Sequence, residues 1–240
     1  MSALRAVFLG SSTTVGTNLS SPTTERYEAL FRTYIRAARS IHCRTSVVAL
    51  AGIGIYEQQA TGFSTPGNRS ETPVNTSTNI TTALATKPTI VFLHQPAANI
   101  PEAIADWSLT TQAAIEDFLL NEQLALVRNI RTLCIAASVR FVCIGSHPIA
   151  LSVLTAEESA ANFNGCREYW NDILRADNPG NFIDYWDDID DGTGNGDPNL
   201  LLADGRHPNA LGGVPMLEGQ LEAAGFDTWQ NRLTPLDIDP

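Results

Sequence analysis

Five short apolar runs, rich in valine, isoleucine and phenylalanine, recur along the chain. Most of them lack polar alternation, which is typical of parallel strands buried on both faces of a sheet. The runs predict strands at about residues 5–9, 46–50, 89–94, 139–144 and 182–185.

Apolar residues at helical spacing lie between these strands. Three such stripes predict helices over residues 27–38, 126–134 and 163–174, the last closed by Asn-Pro-Gly at 178–180. Strands that alternate with helices favour right-handed βαβ crossovers. The pattern therefore predicts a three-layer α/β/α sandwich around a five-stranded parallel sheet.

Length and charge narrow the class of protein. The chain has 240 residues, 43% of them hydrophobic, which suits one domain spanning residues 1–240. No apolar run approaches the roughly 20 residues of a membrane helix. Fifteen basic against 26 acidic residues give a net charge of −11, which opposes binding to phosphate backbones. We expect neither a membrane span nor a nucleic-acid partner.

Cysteines and the N-terminus bear on the compartment. Cys43, Cys134, Cys143 and Cys166 show no C-x-x-C pair and no zinc-site clustering, so we expect buried thiols and no metal. The first ten residues hold an apolar run too short for a secretion signal and predict a first strand. We expect a cytoplasmic protein, or a secreted one whose leader lies outside this sequence.

Three longer irregular stretches, at about residues 55–78, 96–112 and 186–206, each follow a predicted strand. Open parallel sheets bind ligands at that edge, so function is expected there. In the third stretch, the loop Asp191–Asp197 resembles the first half of a calcium loop. Leu202 stands where an EF-hand needs glutamate, so a polar turn is favoured over a weak Ca²⁺ site.

The turn after the first strand, Gly10-Ser11-Ser12, leads through small residues to Gly16. A Walker A loop has four residues between its glycines and then a lysine, and this turn has neither feature. No G-x-G-x-x-G follows the strand, which disfavours a dinucleotide site. What remains is an exposed serine, Ser12, in a turn whose small residues, taken alone, favour a structural interpretation.

A second motif, Asp204-Gly205-Arg206-His207-Pro208-Asn209, lies near the other end of the chain. A serine hydroxyl becomes a nucleophile when an imidazole takes its proton, and the imidazole needs an acceptor to fix its tautomer. Asp204 and His207 can supply both from one loop, with Pro208 expected to begin a helix. Combined with Ser12, they indicate a Ser-His-Asp hydrolase. The absence of any G-x-S-x-G disfavours the α/β-hydrolase fold.

These motifs resemble the SGNH, or GDSL-type, family of serine hydrolases, over nearly the whole chain. Ser12 occupies the nucleophile position of the family's first block, with Ser11 in place of the usual aspartate, and Asp204 and His207 match the last block. The resemblance implies a flavodoxin-like α/β/α sandwich and catalysis without a cofactor.

The resemblance also implies an oxyanion hole made by the amides of Ser12 and Gly54 and by an asparagine side chain. The third block is matched less closely, at residues 93–100. An alignment without a gap places Ala98 at the asparagine position, whereas a one-residue bulge places Asn99 there. Asn99 is the favoured donor, and both alignments stay open.

Three aromatic residues lie in loops beside the expected cleft: Tyr56, Phe63 and Trp107. They could wall an acyl group or form local loop cores. The other histidines, His42, His94 and His147, are expected to be structural.

The expected function is hydrolysis of carboxylic esters, with short-chain acyl or acetyl-carbohydrate esters favoured. An alternative is a catalytically weakened protein of the same fold that binds a glycan or a partner surface. A nucleotide-binding α/β domain is disfavoured by the missing phosphate motifs. The sequence does not predict an oligomeric state.

Overall fold

A computed structural model describes residues 4–39, 43–64, 73–94 and 99–224. Within them lies one five-stranded parallel sheet, which confirms the predicted architecture. Its strands are β1 (Leu4–Gly10), β2 (Cys43–Ala49), β3 (Ile90–His94), β4 (Arg140–Ile144) and β5 (Phe182–Ile183). The assignment of all 240 residues to one domain stays a prediction.

The strand order is β2-β1-β3-β4-β5, which is the flavodoxin-like order. The chain runs from β1 outward to β2 and then returns to place β3 on the other side of β1. Such a reversal opens a crevice at the carboxyl ends of the two central strands. Gly10 of β1 is paired with His94 of β3 at that edge.

Helices fill the connections between the strands and also follow the last strand. They are α1 (Ser12–Val15), α2 (Pro22–Glu25), α3 (Tyr27–Arg39), α4 (Ile80–Ala85), α5 (Ile100–Ala105), α6 (Gln112–Phe118), α7 (Leu124–Ala136), α8 (Ala156–Ala160), α9 (Phe163–Asp177), α10 (Trp186–Ile189) and α11 (Val214–Ala223). A π-helical turn, Leu119–Gln123, joins α6 to α7, and a 3₁₀ turn, Leu151–Val153, precedes α8.

The core has two parts, one on each face of the sheet. Successive residues of a strand point to opposite faces, so Val7 and Leu9 join one cluster and Ala6 and Phe8 join the other. Residues of α4 to α7 and α9 pack in the first cluster, and residues of α3 and α11 pack in the second. Burial on both faces explains why the strand sequences lack polar alternation.

Several local expectations need correction. The stretch 96–112 contains α5, and 186–206 contains α10, so neither is irregular throughout. Pro208 does not begin a helix: it forms an antiparallel bridge with Leu201, and the next helix begins at Val214. That bridge closes the turn that holds Asp204 and His207. Residues 65–72 of the first stretch lie outside the described residues.

The fifth strand is shorter than predicted, ending at Ile183. The chain leaves the sheet at Asp184, whose carboxylate accepts the Trp186 amide at 3.2 Å at the start of α10. All four cysteines are free and buried, as expected. In the part of the chain that the structure describes, no helix is both long and apolar enough to cross a membrane.

The aromatic centre of the second cluster allows a stability prediction. Phe92 is fully buried and stacks on Phe8 with ring centroids 5.1 Å apart. Phe92→Ala should lower the free energy of unfolding by about 3–5 kcal/mol because it leaves a cavity. Ile135→Ala is the control, since Ile135 is 65% exposed and its loss should cost under about 0.5 kcal/mol. Urea denaturation measures both, and equal losses would contradict the placement of Phe92.

Candidate active site

Ser12 begins α1, two residues after Gly10, where strand β1 ends. The helix is one turn long and ends at Gly16, whose φ of 79° is left-handed and whose amide donates to the Ser12 carbonyl. Gly10 makes this tight return possible. A Cβ at Gly10 would overlap the Thr14 hydroxyl and lie 2.6 Å from the carbonyl oxygen of His94. The serine is therefore held against the crevice between β1 and β3.

Asp204 and His207 form a hydrogen-bonded pair in one turn, as their spacing predicts. His207 Nδ1 lies 2.8 Å from Asp204 Oδ2. The other carboxylate oxygen accepts the backbone amides of Arg206 at 2.8 Å and His207 at 3.0 Å. The His207 side chain is 18% exposed, so its second ring nitrogen can reach a bound molecule. A neutral or protonated imidazole donates from Nδ1 in this arrangement.

Asn18 joins the two ends of the sequence. Its side-chain Nδ2 donates to Asp204 Oδ2 at 2.6 Å, the oxygen that also bonds His207. Asn18 follows Thr17, whose amide donates to the Ser12 carbonyl at 3.0 Å. It therefore belongs to the segment from Gly10 to Asn18 that carries Ser12, which we call the serine turn. Within the described residues, no hydrogen bond links the Ser12 hydroxyl directly to His207. The structure brings the two turns together and leaves that last contact open.

Sequence reasoning missed Asn18. Its only local signal is an asparagine in the turn after a short helix, where its φ of 65° is left-handed. Asparagine tolerates that conformation better than most residues. Nothing in the sequence connects this position to Asp204, because the contact spans 186 residues.

The surroundings of Asp204 keep it ionised. Partial burial alone would raise its pKa, but hydrogen bonds from the Arg206 amide, the Asn18 side chain and His207 outweigh burial. Together they hold the pKa of Asp204 well below its ordinary value. The carboxylate therefore stays negative beside the imidazole at any physiological pH.

Asn99 packs against Gly54 at the opposite side of the crevice. It is buried, with a left-handed φ of 64°, immediately before α5. Its Oδ1 accepts the Ile55 amide at 2.7 Å, while its Nδ2 has no partner in the described ranges. A Cβ at Gly54 would overlap that amide group. Ala98, the other candidate for the asparagine position, lies outside the described residues.

The Gly54 amide is already engaged, which sequence reasoning did not foresee. It donates to Glu57 Oε2 at 2.8 Å and so closes the turn after β2. Burial, together with the carboxylates of Glu57 and Asp106, raises the pKa of the neighbouring Glu102 to about 7. This side of the crevice is therefore acidic, with one carboxyl that titrates near neutrality.

The three loop aromatics are packed among other apolar residues. Tyr56 is fully buried, its hydroxyl donates to Glu122 at 2.9 Å, and its ring meets Trp107 edge-on at 5.9 Å. Trp107 in turn packs on Phe118, and Phe63 lies partly buried against the same cluster. These contacts make a loop core, and a role in walling an acyl group stays a prediction.

Internal hydrogen bonds organise the acidic loop. Asp190 accepts the amides of Gly192, Thr193 and Gly194, and Asp191 accepts from Thr193 and Asn195. No group of three or more potential metal ligands occurs in the part of the chain described. The loop is a polar turn in this structure, and a calcium site there stays a prediction.

The likeness of this chain to known proteins lies in its fold. No family model and no curated protein matches the sequence. Solved structures do match: a catalytic mutant of the acetylxylan esterase Axe2 from Geobacillus stearothermophilus aligns with TM-score 0.59 and 14% identity over 94% of this chain and 96% of that one. The chain has the fold of the GDSL-type hydrolases.

Two further structures carry the same fold. A proposed GDSL-like lipase from Parabacteroides merdae aligns with TM-score 0.60 and 15% identity over 93% of this chain and 96% of that one. A proposed acylhydrolase from Bacteroides fragilis gives 0.60 and 15% over 92% and 86%. At these identities the likeness concerns the fold, so the chemistry must be argued from the side chains.

The depressed pKa of Asp204 predicts how stability depends on pH. A carboxyl whose pKa is lower folded than unfolded stabilises the fold above its unfolded pKa of about 3.9 and loses that effect as acid protonates it. Asp204→Asn should therefore be less stable than wild type at pH 7, and the gap should shrink below about pH 4. Urea denaturation at pH 7 and pH 3 tests this, and a gap of constant size would contradict it.

Proposed function

We propose that the protein is a serine hydrolase of the SGNH family that cleaves carboxylic esters through an acyl-enzyme on Ser12. One observation carries the proposal. The Asp204 carboxylate bonds His207 at 2.8 Å and, through Asn18 at 2.6 Å, the turn that holds Ser12. The proposal therefore assigns Ser12 as the nucleophile, His207 as the base and Asp204 as the orienting carboxylate, at the edge where open sheets bind ligands.

The chemistry follows from these three side chains. The Ser12 hydroxyl attacks the ester carbonyl while His207 Nε2 takes its proton. Asp204 accepts the Nδ1–H bond, fixes the tautomer and stabilises the imidazolium. His207 then returns the proton to the leaving alcohol. Water, activated by the same imidazole, hydrolyses the acyl-enzyme and regenerates Ser12.

Two N–H groups of the described residues are free to stabilise the oxyanion: the Ser12 amide and the Asn99 side-chain amide. Ser12 begins α1, so its amide has no intrahelical carbonyl to bond. The Asn99 Nδ2 group has no partner among described residues and lies against Gly54. The Gly54 amide becomes a third donor once the Glu57 carboxylate leaves it. Ester hydrolysis needs no further group, so no cofactor is proposed.

The fold neighbours support the same chemistry. One is named as an acetylxylan esterase, and its catalytic mutants replace a serine and an aspartate by alanine. Another is named as a GDSL-like lipase. Short-chain acyl or acetyl-carbohydrate esters are the proposed substrates, because a net charge of −11 disfavours polyanionic ones. Rates on p-nitrophenyl acetate, butyrate and octanoate, and on acetylated xylo-oligosaccharides, would rank them.

Replacing the nucleophile tests the proposal directly. Ser12→Ala should reduce turnover of p-nitrophenyl acetate to background and abolish labelling by a fluorophosphonate probe. Ser21→Ala is the matched control, because Ser21 is exposed and its side chain caps nothing. Unchanged turnover in the Ser12 variant would refute the assignment. A folded wild type that neither turns over nor labels would favour the alternative, a binding protein of the same fold.

The oxyanion assignment has its own test. Asn99→Asp keeps the acceptor for the Ile55 amide but removes the N–H donor, so kcat should fall about 100- to 1,000-fold. Gly54→Ala should give a comparable loss, since its Cβ displaces the Asn99 amide.

Gly213→Ala controls for the glycine change, because a Cβ there meets nothing closer than 3.4 Å. Single-turnover acylation rates provide the measurement. If Asn99→Asp kept its wild-type rate, the donor would have to lie elsewhere.

A further inference from the structure

A buried network of hydrogen bonds runs beneath the candidate site, outside the residues assigned to catalysis. Its members are hydroxyls, imidazoles and one backbone carbonyl, and each contacts the next. In order they are Thr14, Tyr27, His94, Tyr185, His147 and the carbonyl of Arg206. The five side chains are almost fully excluded from solvent. We call it the His94–His147 network.

Both ends of this network belong to the candidate site. Thr14 lies in α1, two residues after Ser12, and its hydroxyl meets Tyr27 at 2.7 Å. Arg206 immediately precedes His207, and its carbonyl lies 3.0 Å from His147 Nε2. The network therefore connects the serine turn, through the protein interior, to the segment from Asp204 to His207, which we call the histidine turn. Asn18 connects the same two turns at the surface.

The carbonyl at one end fixes the direction of the hydrogen bonds. A carbonyl only accepts, so His147 must carry its proton on Nε2. Nδ1 of a neutral His147 then accepts from the Tyr185 hydroxyl at 2.9 Å. Because the single hydroxyl hydrogen of Tyr185 is used in that bond, its oxygen accepts from His94 Nε2 at 2.8 Å. One acceptor thus determines the tautomers of both histidines.

Charge and burial keep both rings neutral, as this pattern requires. Burial, reinforced by the nearby Arg167 guanidinium, lowers the pKa of His94 to about 3. The same two causes hold the pKa of His147 well below its ordinary value. A neutral imidazole has one donor and one acceptor nitrogen, which is what this pattern uses at both positions.

Among the carbonyls of residues 205–207, only that of Arg206 is bonded to a side chain of the described part of the structure. The Gly205 carbonyl accepts the Ala150 amide at 2.8 Å, and the His207 carbonyl accepts the Leu202 amide at 2.8 Å. Between them, the Arg206 carbonyl accepts from His147. A single side-chain change can therefore tilt the peptide that leads into His207 while its flanking backbone bonds remain.

We propose that His147 is a positioning residue. Its Nε2–H holds the Arg206 carbonyl and so sets the position of the His207 imidazole relative to Ser12. Tyr185 donates to Nδ1 and so supports the tautomer that makes this bond. The role rests on the proposed esterase function but involves no contact with substrate. Misplacing a catalytic group by about 1 Å costs up to about 100-fold in rate.

Three variants separate positioning from simple packing. His147→Leu removes the donor, and kcat on p-nitrophenyl acetate should fall about 10- to 100-fold, with KM changed less than about twofold. His147→Gln keeps an N–H near the place of Nε2 and should restore most of that loss. Tyr185→Phe keeps the ring and should give an intermediate loss. Tyr169→Phe, a partly buried tyrosine outside the network, is the matched control.

The fluorophosphonate labelling rate should fall in the same order, because it reports the activation of Ser12 without ester turnover. A folded His147→Leu protein with kcat within twofold of wild type would overturn the proposal. If that variant does not fold, Tyr185→Phe decides, and an unchanged kcat there overturns it equally.

Nuclear magnetic resonance gives a readout that is independent of hydrolysis. In ¹⁵N-labelled Ser12→Ala protein, His147 should show a protonated Nε2 and an unprotonated Nδ1 at pH 7. The opposite tautomer or an imidazolium would refute the network's direction. Failure of the esterase function looks different: wild type and Ser12→Ala would then have equal turnover, whatever the His147 variants do.

Discussion

The arrangement of the site depends on one carboxylate. Asp204 accepts four hydrogen bonds, two from its own turn's backbone, one from His207 and one from Asn18. The backbone bonds shape the turn, the imidazole bond orients the His207 ring, and the Asn18 bond fixes the turn against the segment that carries Ser12. Because the acceptor is ionised, each bond is stronger than one between neutral groups. Loss of the charge would weaken all of them together.

His147 and His207 lie in contrasting surroundings at neighbouring places in the fold. His147 is buried, neutral and locked into one tautomer by a carbonyl and a hydroxyl. His207 is partly exposed and bonded to a carboxylate, which suits the proposed role of base. The contrast follows from the partners alone. A base must be able to change charge, whereas a group that holds a peptide in place must not.

The sequence predicted the sheet well because buried parallel strands have a strong pattern. The runs around Val7, Val91 and Val142 are apolar on both faces, and their order along the chain left few topologies. The pairing of Asp204 with His207 was predictable because both lie in one short turn. Gly54 was placed near the crevice, but its bond to Glu57 was not foreseen, since three-residue spacing to an acid is common in turns.

Contacts between distant segments were beyond prediction. Asn18 and the His94–His147 network join residues from four or more separate parts of the chain, and each member looks ordinary in its local sequence. Tyr185 illustrates the difficulty: it follows a strand as any buried aromatic might, and only the fold places its hydroxyl between two imidazoles. The loop aromatic Tyr56 is similar, because its hydroxyl has a partner in Glu122 that no pattern connects to it.

Two contacts hold the Asn99 side chain in place. The side chain takes its position from the Ile55 amide, which holds Oδ1, and from the missing Cβ of Gly54, which leaves room for Nδ2. Both constraints come from the turn after β2. Asparagine suits the position further, since the backbone enters α5 through a left-handed φ of 64°.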